Sequence, residues 1–497
     1  MATTAPAAPG ERHLGLGTKL AYGVGSVAYG IKDNGFSTLL LLFYNQVVGL
    51  PADQVGLAIM AALVFDAFVD PVIGHFSDHL NSRWGRRHPF MYASALPIGV
   101  LYLLLWNPPR GGSTAETLGW LFAVAVLVRT AISCYEVPSS ALAPELTADY
   151  HERTSVLGFR YLFGWLGGMG MLLLTFAVFL ANTPEYPQGQ LNPHGYVRYS
   201  YVAAALMTTA ILMSALGTHR QIRHLPRAAP VRPPLKRTFH EILGTLSNKA
   251  FLILFLTGIC TYTNQGLTFA LATYFNTYLW EFGSHVLVIY TVAVLVGVAL
   301  AFGFVRILSR RMGKKRAALW CVAIYPVIAS APLLGRVANV MPANGTLILL
   351  PLLMGLTALA IVFGVGVAIM LASMMADVVE DAQARTGERR EGIFFAGSFF
   401  MQKCVSGFGL FLSGAILTAV AFPVGAVPGK VDKAVLDQLI IVYCGLMAVF
   451  SVIALFVLSR FPLGGEAEHR QRLERLAETA SHSSPLPGSE PEIPVIE

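Results

Sequence analysis

Long apolar stretches recur along this chain from end to end, and they decide what it can become. A bilayer-crossing helix needs roughly 20 predominantly apolar residues. On that measure twelve spans are predicted, over 19–48, 55–79, 88–106, 117–143, 154–181, 197–218, 248–280, 284–308, 316–335, 346–377, 391–422 and 435–461. The 497 residues are 55% hydrophobic and 13% charged, with mean hydropathy +0.60. A soluble domain of this size cannot hide so much apolar surface. Helices satisfy their own backbone groups in lipid, so the expected fold is an all-α integral membrane protein.

The net charge of +7 does not indicate a nucleic-acid partner, because the basic residues fall in short loops. Arg83, Arg86 and Arg87 follow span 2, Arg310, Arg311, Lys314, Lys315 and Arg316 follow span 8, and Arg385, Arg389 and Arg390 follow span 10. Loops on the other side are poor in lysine and arginine. The asymmetry places both termini in the cytoplasm, in a plasma membrane and most simply a bacterial inner membrane. The longest basic loop carries Pro226, Pro230, Pro233 and Pro234. It divides the chain into a tail (1–18), a six-helix bundle (19–218), a linker (219–247), a second bundle (248–461) and a partly disordered tail (462–497). Ser82-Arg-Trp-Gly-Arg-Arg87 and Arg310-Arg-Met-Gly-Lys-Lys315 occupy equivalent places in the two halves. Two related bundles suggest rocking about a midplane site. The N-terminal tail lacks a basic-then-apolar signal-peptide pattern.

Charges inside the spans are costly and mark an ion or substrate path. Asp66 and Asp70 are four residues apart, on one helix face. With Asp33 and Glu136 they make four embedded acids, against Lys32, Arg129, Arg160 and Lys403 as bases. Such a network pairs fully when ionised, and its pairing can govern cation and substrate affinity together. Lys32 and Asp33 are neighbours that point about 100° apart. Arg129 reads as an anchor to Glu136 within span 4, and Arg160 as a substrate contact or a partner of Glu145. Polar residues of span 7 (Tyr262, Thr263, Asn264, Gln265, Tyr274 and Asn276) line a path or bond neighbouring helices. Glycines 164, 167, 168 and 170 read as packing positions, and Gly364 and Gly366 as packing or bending points. Asp377, Glu380 and Asp381 read as gate ion pairs to cytoplasmic arginines. No Walker, Gly-x-Ser-x-Gly, His-Glu-x-x-His or cofactor motif is present, so an enzyme is not expected. The five cysteines have neither zinc nor redox spacing, and neither a cofactor nor a structural metal is expected.

Several motifs occur in order: Lys19-Leu-Ala-Tyr-Gly-Val-Gly25, Asp66-Ala-Phe-Val-Asp70-Pro71, Ser82-Arg-Trp-Gly-Arg-Arg-His-Pro89, Glu136-Val-Pro138, Arg160, and Thr386-Gly-Glu-Arg-Arg-Glu-Gly392 leading to Gln402-Lys403. In this the chain resembles the glycoside–pentoside–hexuronide:cation symporters of the major facilitator superfamily, over about residues 19–460. The resemblance implies a monomeric, cation-driven symporter that works by alternating access. It implies a cation site of Asp66, Asp70 and Glu136 with Ser133, and Lys403 beside it. Substrate contacts are implied at Glu136 and Arg160, and Lys32, Asp33, Tyr262, Asn264, Gln265 and Gln402 join them as candidates. The gates implied are Arg83, Arg86, Arg87, Asp377, Glu380, Arg389 and Arg390. The chain departs from galactoside-carrying members at Tyr29 and Gly30, where those carry a lysine–aspartate pair, and at Ser140, where they carry tryptophan. Val69 replaces a frequent asparagine and removes one oxygen ligand. Sodium takes several oxygens and a proton needs one carboxylate, so the expectation leans to H+ over Na+. The expected substrate is a sugar or glycoside; the alternative is a lysophospholipid or other amphipathic organic anion.

Overall fold

The computed structural model describes residues 14–80, 82–147, 149–225, 244–386 and 391–462. Twelve long helical segments follow one another. Helix α1 (16–47) is composite, with α-helices Leu16–Val24 and Ser26–Asn34, a π-helical turn Gly35–Leu39, then Leu40–Leu42 and a second π turn Phe43–Val47. The others in the first half are α2 (Ala52–His79), α3 (His88–Trp106), α4 (Thr114–Leu146), α5 (Tyr150–Leu174, continued by a π turn Thr175–Phe179) and α6 (Pro193–His219). The second half holds α7 (Lys249–Tyr274, continued by the π turn Phe275–Leu279), α8 (Ser284–Met312), α9 (Lys314–Val337), α10 (Leu349–Thr386), α11 (Glu391–Ala419) and α12 (Lys433–Ser459). The predicted limits stand within a few residues for most spans, and α10 runs on about two turns further.

Eleven of these helices are long and apolar enough to cross a membrane; α1 is the exception. Its polar centre, Lys32-Asp33-Asn34, interrupts the apolar run, and the π turn directly after it rephases the helix. Local chemistry sets the starts. Ser113 and Glu116 close a capping box on α4. Asp149, Asn248 and Asp432 cap α5, α7 and α12.

Close approach is built from glycine. A Cβ on Gly30 of α1 would sit 2.7 Å from Gly168 N of α5, and one on Gly167 would sit 2.6 Å from Val27 Cα. The glycines of α5 therefore pack, as small residues do between membrane helices. Gly170, by contrast, faces open space. Gly364 gives room to the Tyr325 ring and Gly366 to Cys321, and α10 runs through both without a break. The loops after α2 and α8 share a structural mark: Gly85 (φ 73°) and Gly313 (φ 80°) both take positive φ. This is the internal repeat expressed in backbone conformation.

The halves meet along α2 and α11. A Cβ on Gly56 would lie 3.1 Å from Leu410 O, and one on Gly407 would lie 3.1 Å from Leu63 Cβ. At the end away from the basic loops the halves are also laced by hydrogen bonds. Tyr274 OH donates to Asn45 Oδ1 (2.9 Å) and Tyr278 OH to Gln46 Oε1 (3.0 Å). Gln46 Nε2 donates to Pro423 O (3.2 Å), and Ala426 N donates to Gln46 Oε1 (3.0 Å). Gln190 Nε2 reaches Thr277 Oγ1 (3.1 Å) and Phe282 O (3.0 Å). One hydrophobic core runs the length of the first half and joins the second half at this end, while another, at the basic end, belongs to the second half alone.

Candidate functional site at the helix midplane

Asp66 of α2 is the centre of the embedded charges. Its Oδ2 accepts from Arg129 Nε (3.1 Å) and Nη2 (2.9 Å) and from Lys403 Nζ (3.0 Å). Its Oδ1 accepts from Ser133 Oγ (2.8 Å). One turn on, Asp70 Oδ2 accepts from the same Lys403 ammonium. Lys403 is on α11, so one side chain of the second half bridges two carboxylates of the first. Pro71 follows Asp70 directly and lies inside a helix that stays continuous. Arg129 and Asp66 are buried, at 3% and 1% exposure, whereas Asp70 and Lys403 keep 25% and 22%. Charged side chains in membrane helices face a bundle interior or a water-filled cavity almost without exception, and partial exposure of Asp70 and Lys403 fits such a place.

A second group lies on α4 and α5. Arg160 Nη1 donates to Ser139 Oγ (2.9 Å), and its Nη2 is 3.7 Å from Glu136 Oε1. The third group is on α1: Lys32 Nζ is 3.7 Å from Asp33 Oδ1 and 4.5 Å from the centre of the Tyr29 ring. Adjacent helical residues do not face each other, but the long lysine stem reaches around. Lys32 is buried and Asp33 is half-exposed, so of this pair only the aspartate is open to a ligand.

Two expectations about single arginines change. Arg129 pairs with Asp66, not Glu136. Asp66 lies across α4's buried face, and Ser133, one turn from Arg129, points to the same carboxylate. The i, i+4 spacing of Arg129 and Ser133 was the available signal. Arg160 pairs with Glu136 and not Glu145, which belongs to Arg86 (2.8 Å) and Arg87 (3.0 Å).

The second-half candidates divide. Asn264 is buried and donates to Met447 O (3.2 Å) and Ser451 Oγ (3.0 Å) of α12. It is interhelical glue, a correction to its expected place on the path. Tyr262, Gln265 and Gln402 are partly exposed, and no hydrogen bond to another described residue engages the two glutamines. At the basic end Arg87 is buried against Asp78 and Ser77. Lys314 bonds Asp377 at 2.6 Å. Each of these pairs lies within one half, and Lys314 of the repeat loop is one partner of Asp377. Arg83 is exposed, with no ion pair among the described residues. Glu380 and Asp381 lie one turn beyond Asp377 on α10, and Asp381 is buried. Arg389, Arg390, most of the linker and the charged stretch after Pro462 lie outside the described residues.

The outer lacing of Asn45, Gln46, Gln190, Tyr274 and Tyr278 has no counterpart among the sequence-based candidates, apart from Tyr274 in the polar set of span 7. Its signal was an Asn-Gln pair at the end of an apolar span, where amides are ordinarily read as interfacial.

Residues 21–465 match the family described as MFS/sugar transport protein. An uncharacterized symporter of Synechocystis is 29% identical over 493 residues, covering 83% of this chain and 87% of the relative. The isoprimeverose transporter of Lactiplantibacillus pentosus is 24% identical over 410 residues, covering 81% and 80%. The fold is shared with the xylose transporter XylE of E. coli, solved in an inward open conformation, at TM-score 0.62, 14% identity and coverage of 92% and 98%. This chain therefore belongs to the MFS/sugar transport protein family, in its glycoside–pentoside–hexuronide symporter branch, and is a multi-pass membrane transporter, not an enzyme.

Proposed function

We propose that the protein is a cation-coupled symporter that carries a sugar or glycoside by alternating access. The observation that carries the coupling is Lys403, which links the two halves through Asp66 and Asp70. A cation arriving at these carboxylates competes with Lys403, so its binding acts on the contact between the halves. By linkage, the substrate then acts on cation affinity to the same degree. The wet polar groups beside this cluster suit a polyhydroxylated ligand. Asp33 and Glu136 accept from hydroxyls, Arg160 donates, and Gln265, Gln402 and Tyr262 supply both kinds of group from the second half. The name of the isoprimeverose transporter supports a sugar in this branch. The coupling ion is H+ or Na+.

The loop charges favour a plasma membrane orientation with both termini and the basic loops in the cytoplasm. On that orientation the laced end is the outer gate, closed here, and the charged interior opens inward. One chain suffices, so a monomer is proposed. In the cycle Asp66, Asp70 and Ser133 hold the cation side, Arg160 and Glu136 orient substrate, and the Arg87 and Lys314 pairs stiffen each half at the cytoplasmic gate. Uptake of labelled glycosides into proteoliposomes under an imposed ion gradient tests the reading. Gradient-driven accumulation that is lost in Lys403→Gln supports it. Equal accumulation with and without a gradient of either ion overturns it.

A further inference from the structure

Arg129 lies wholly in the first half, yet it fills the carboxylate that Lys403 reaches from the second. Both its Nε and Nη2 donate to Asp66 Oδ2, and Ser133 takes Oδ1. With Lys403 added, each oxygen of Asp66 is already engaged. Asp70 differs. Its Oδ2 meets Lys403, while its Oδ1 is buried and accepts no hydrogen bond. Of the four oxygens of the aspartate pair, Asp70 Oδ1 is the one that accepts no hydrogen bond.

The Arg129 contact is fixed in a way that the Lys403 contact is not. A guanidinium keeps its charge in proteins. Separating it from Asp66 would strand a buried charge. Helices α2 and α4 belong to one half, so the pair travels intact when the halves rock, whereas Lys403 moves relative to it. A hard metal cation takes several oxygen ligands. At this cluster it would find Asp66 spoken for and a permanent positive charge a few ångströms away, which repels it strongly in a low-dielectric interior. A proton needs only the unbonded oxygen of Asp70.

We propose that Arg129 sets the coupling ion: by occupying Asp66 permanently it excludes sodium from the aspartate pair and leaves the site to a proton. This deepens the cation-coupled reading above and rests on it. The proton passes from interior water to Asp70, which becomes a neutral acid. Lys403 keeps its ammonium charge and its bond to Asp66. The other charged and titratable groups around the cluster are Lys32, Asp33 and Tyr29 from α1, Glu136 from α4, Arg160 from α5 and Cys404 from α11. With these in their ordinary ionised states and Asp70 protonated, the loaded carrier bears one more positive charge than the empty one.

The test is equilibrium binding of radioactive sodium to the purified full-length protein, with no sugar present. Wild type, Arg129→Lys and Arg129→Gln are compared. Wild type and Arg129→Lys, which keeps the charge, bind no sodium saturably. Arg129→Gln gains saturable sodium binding. Saturable sodium binding by wild type overturns the proposal, and that arm decides even if Arg129→Gln fails to fold. A folded Arg129→Gln protein that stays blind to sodium overturns it as well. The cation-coupled reading fails separately, when neither a proton nor a sodium gradient drives uptake by wild type.

Discussion

Gln46 makes three hydrogen bonds across the outer gate, and Gln46→Ala removes all three. They are Nε2 to Pro423 O, and Oε1 from Tyr278 OH and from Ala426 N. The bond to Asn45 Oδ1 stays within one half and does not distinguish the two states. A net hydrogen bond of this kind is worth about 1 kcal/mol. When the gate opens, water replaces each of them, so their loss falls on the closed state alone. The closed state then loses about 2–3 kcal/mol, a shift of roughly thirty- to 150-fold toward opening. Ala426→Cys, with the five native cysteines replaced, places a buried thiol beside Gln46. Its reaction with an impermeant maleimide reads the open fraction, provided opening and closing are fast. Adding Gln46→Ala should raise the labelling rate by that factor. An unchanged rate would refute the assignment of Gln46 as the main tie of the closed gate.

Three further outcomes follow from the same structure. Asp66→Asn strands the buried Arg129 and should cost about 3–5 kcal/mol, read as a lower melting temperature in detergent, together with loss of gradient-driven uptake; a stable, fully coupled variant would contradict the site. Arg160→Ala should weaken apparent substrate affinity by about ten- to a hundredfold while cation dependence persists, as expected for lost charged hydrogen bonds; an unchanged half-saturation constant would remove Arg160 from the substrate site. Gly30→Val should prevent the α1–α5 crossing and abolish recovery of folded protein, whereas Gly170→Ala, which meets open space, should stay within about 0.5 kcal/mol of wild type by thermal melting.

Eleven of the spans were legible because membrane length and apolar composition are one-dimensional properties, while α1, with its polar centre, meets that measure less well. Lys403 was legible for a similar reason, since a lone base in an apolar helix needs acids, and Asp66 and Asp70 were at hand. The pairing of Arg129 was not. Which acid it meets depends on the rotation of α4 against α2, and sequence fixes the face of a helix but not what that face meets. Asn264 failed in the opposite sense, for a path-lining amide and an interhelical one have the same sequence signature. The gate pairs were half legible: the basic loops announced cations, but Arg87 and Lys314 turn back to acids of their own halves, which loop charge alone does not reveal. The outer lacing went unread because neutral amides and phenols draw no notice until two surfaces close on them.

Gradient-driven uptake in proteoliposomes tests the central claim most directly, with a panel of labelled glycosides set beside a lysophospholipid, under a proton or a sodium gradient. The account predicts that a glycoside accumulates against its gradient when protons are supplied, and that the lysophospholipid does not. Accumulation of the lysophospholipid with all glycosides inert would contradict the substrate class, and glycoside uptake indifferent to both ions would contradict the coupling.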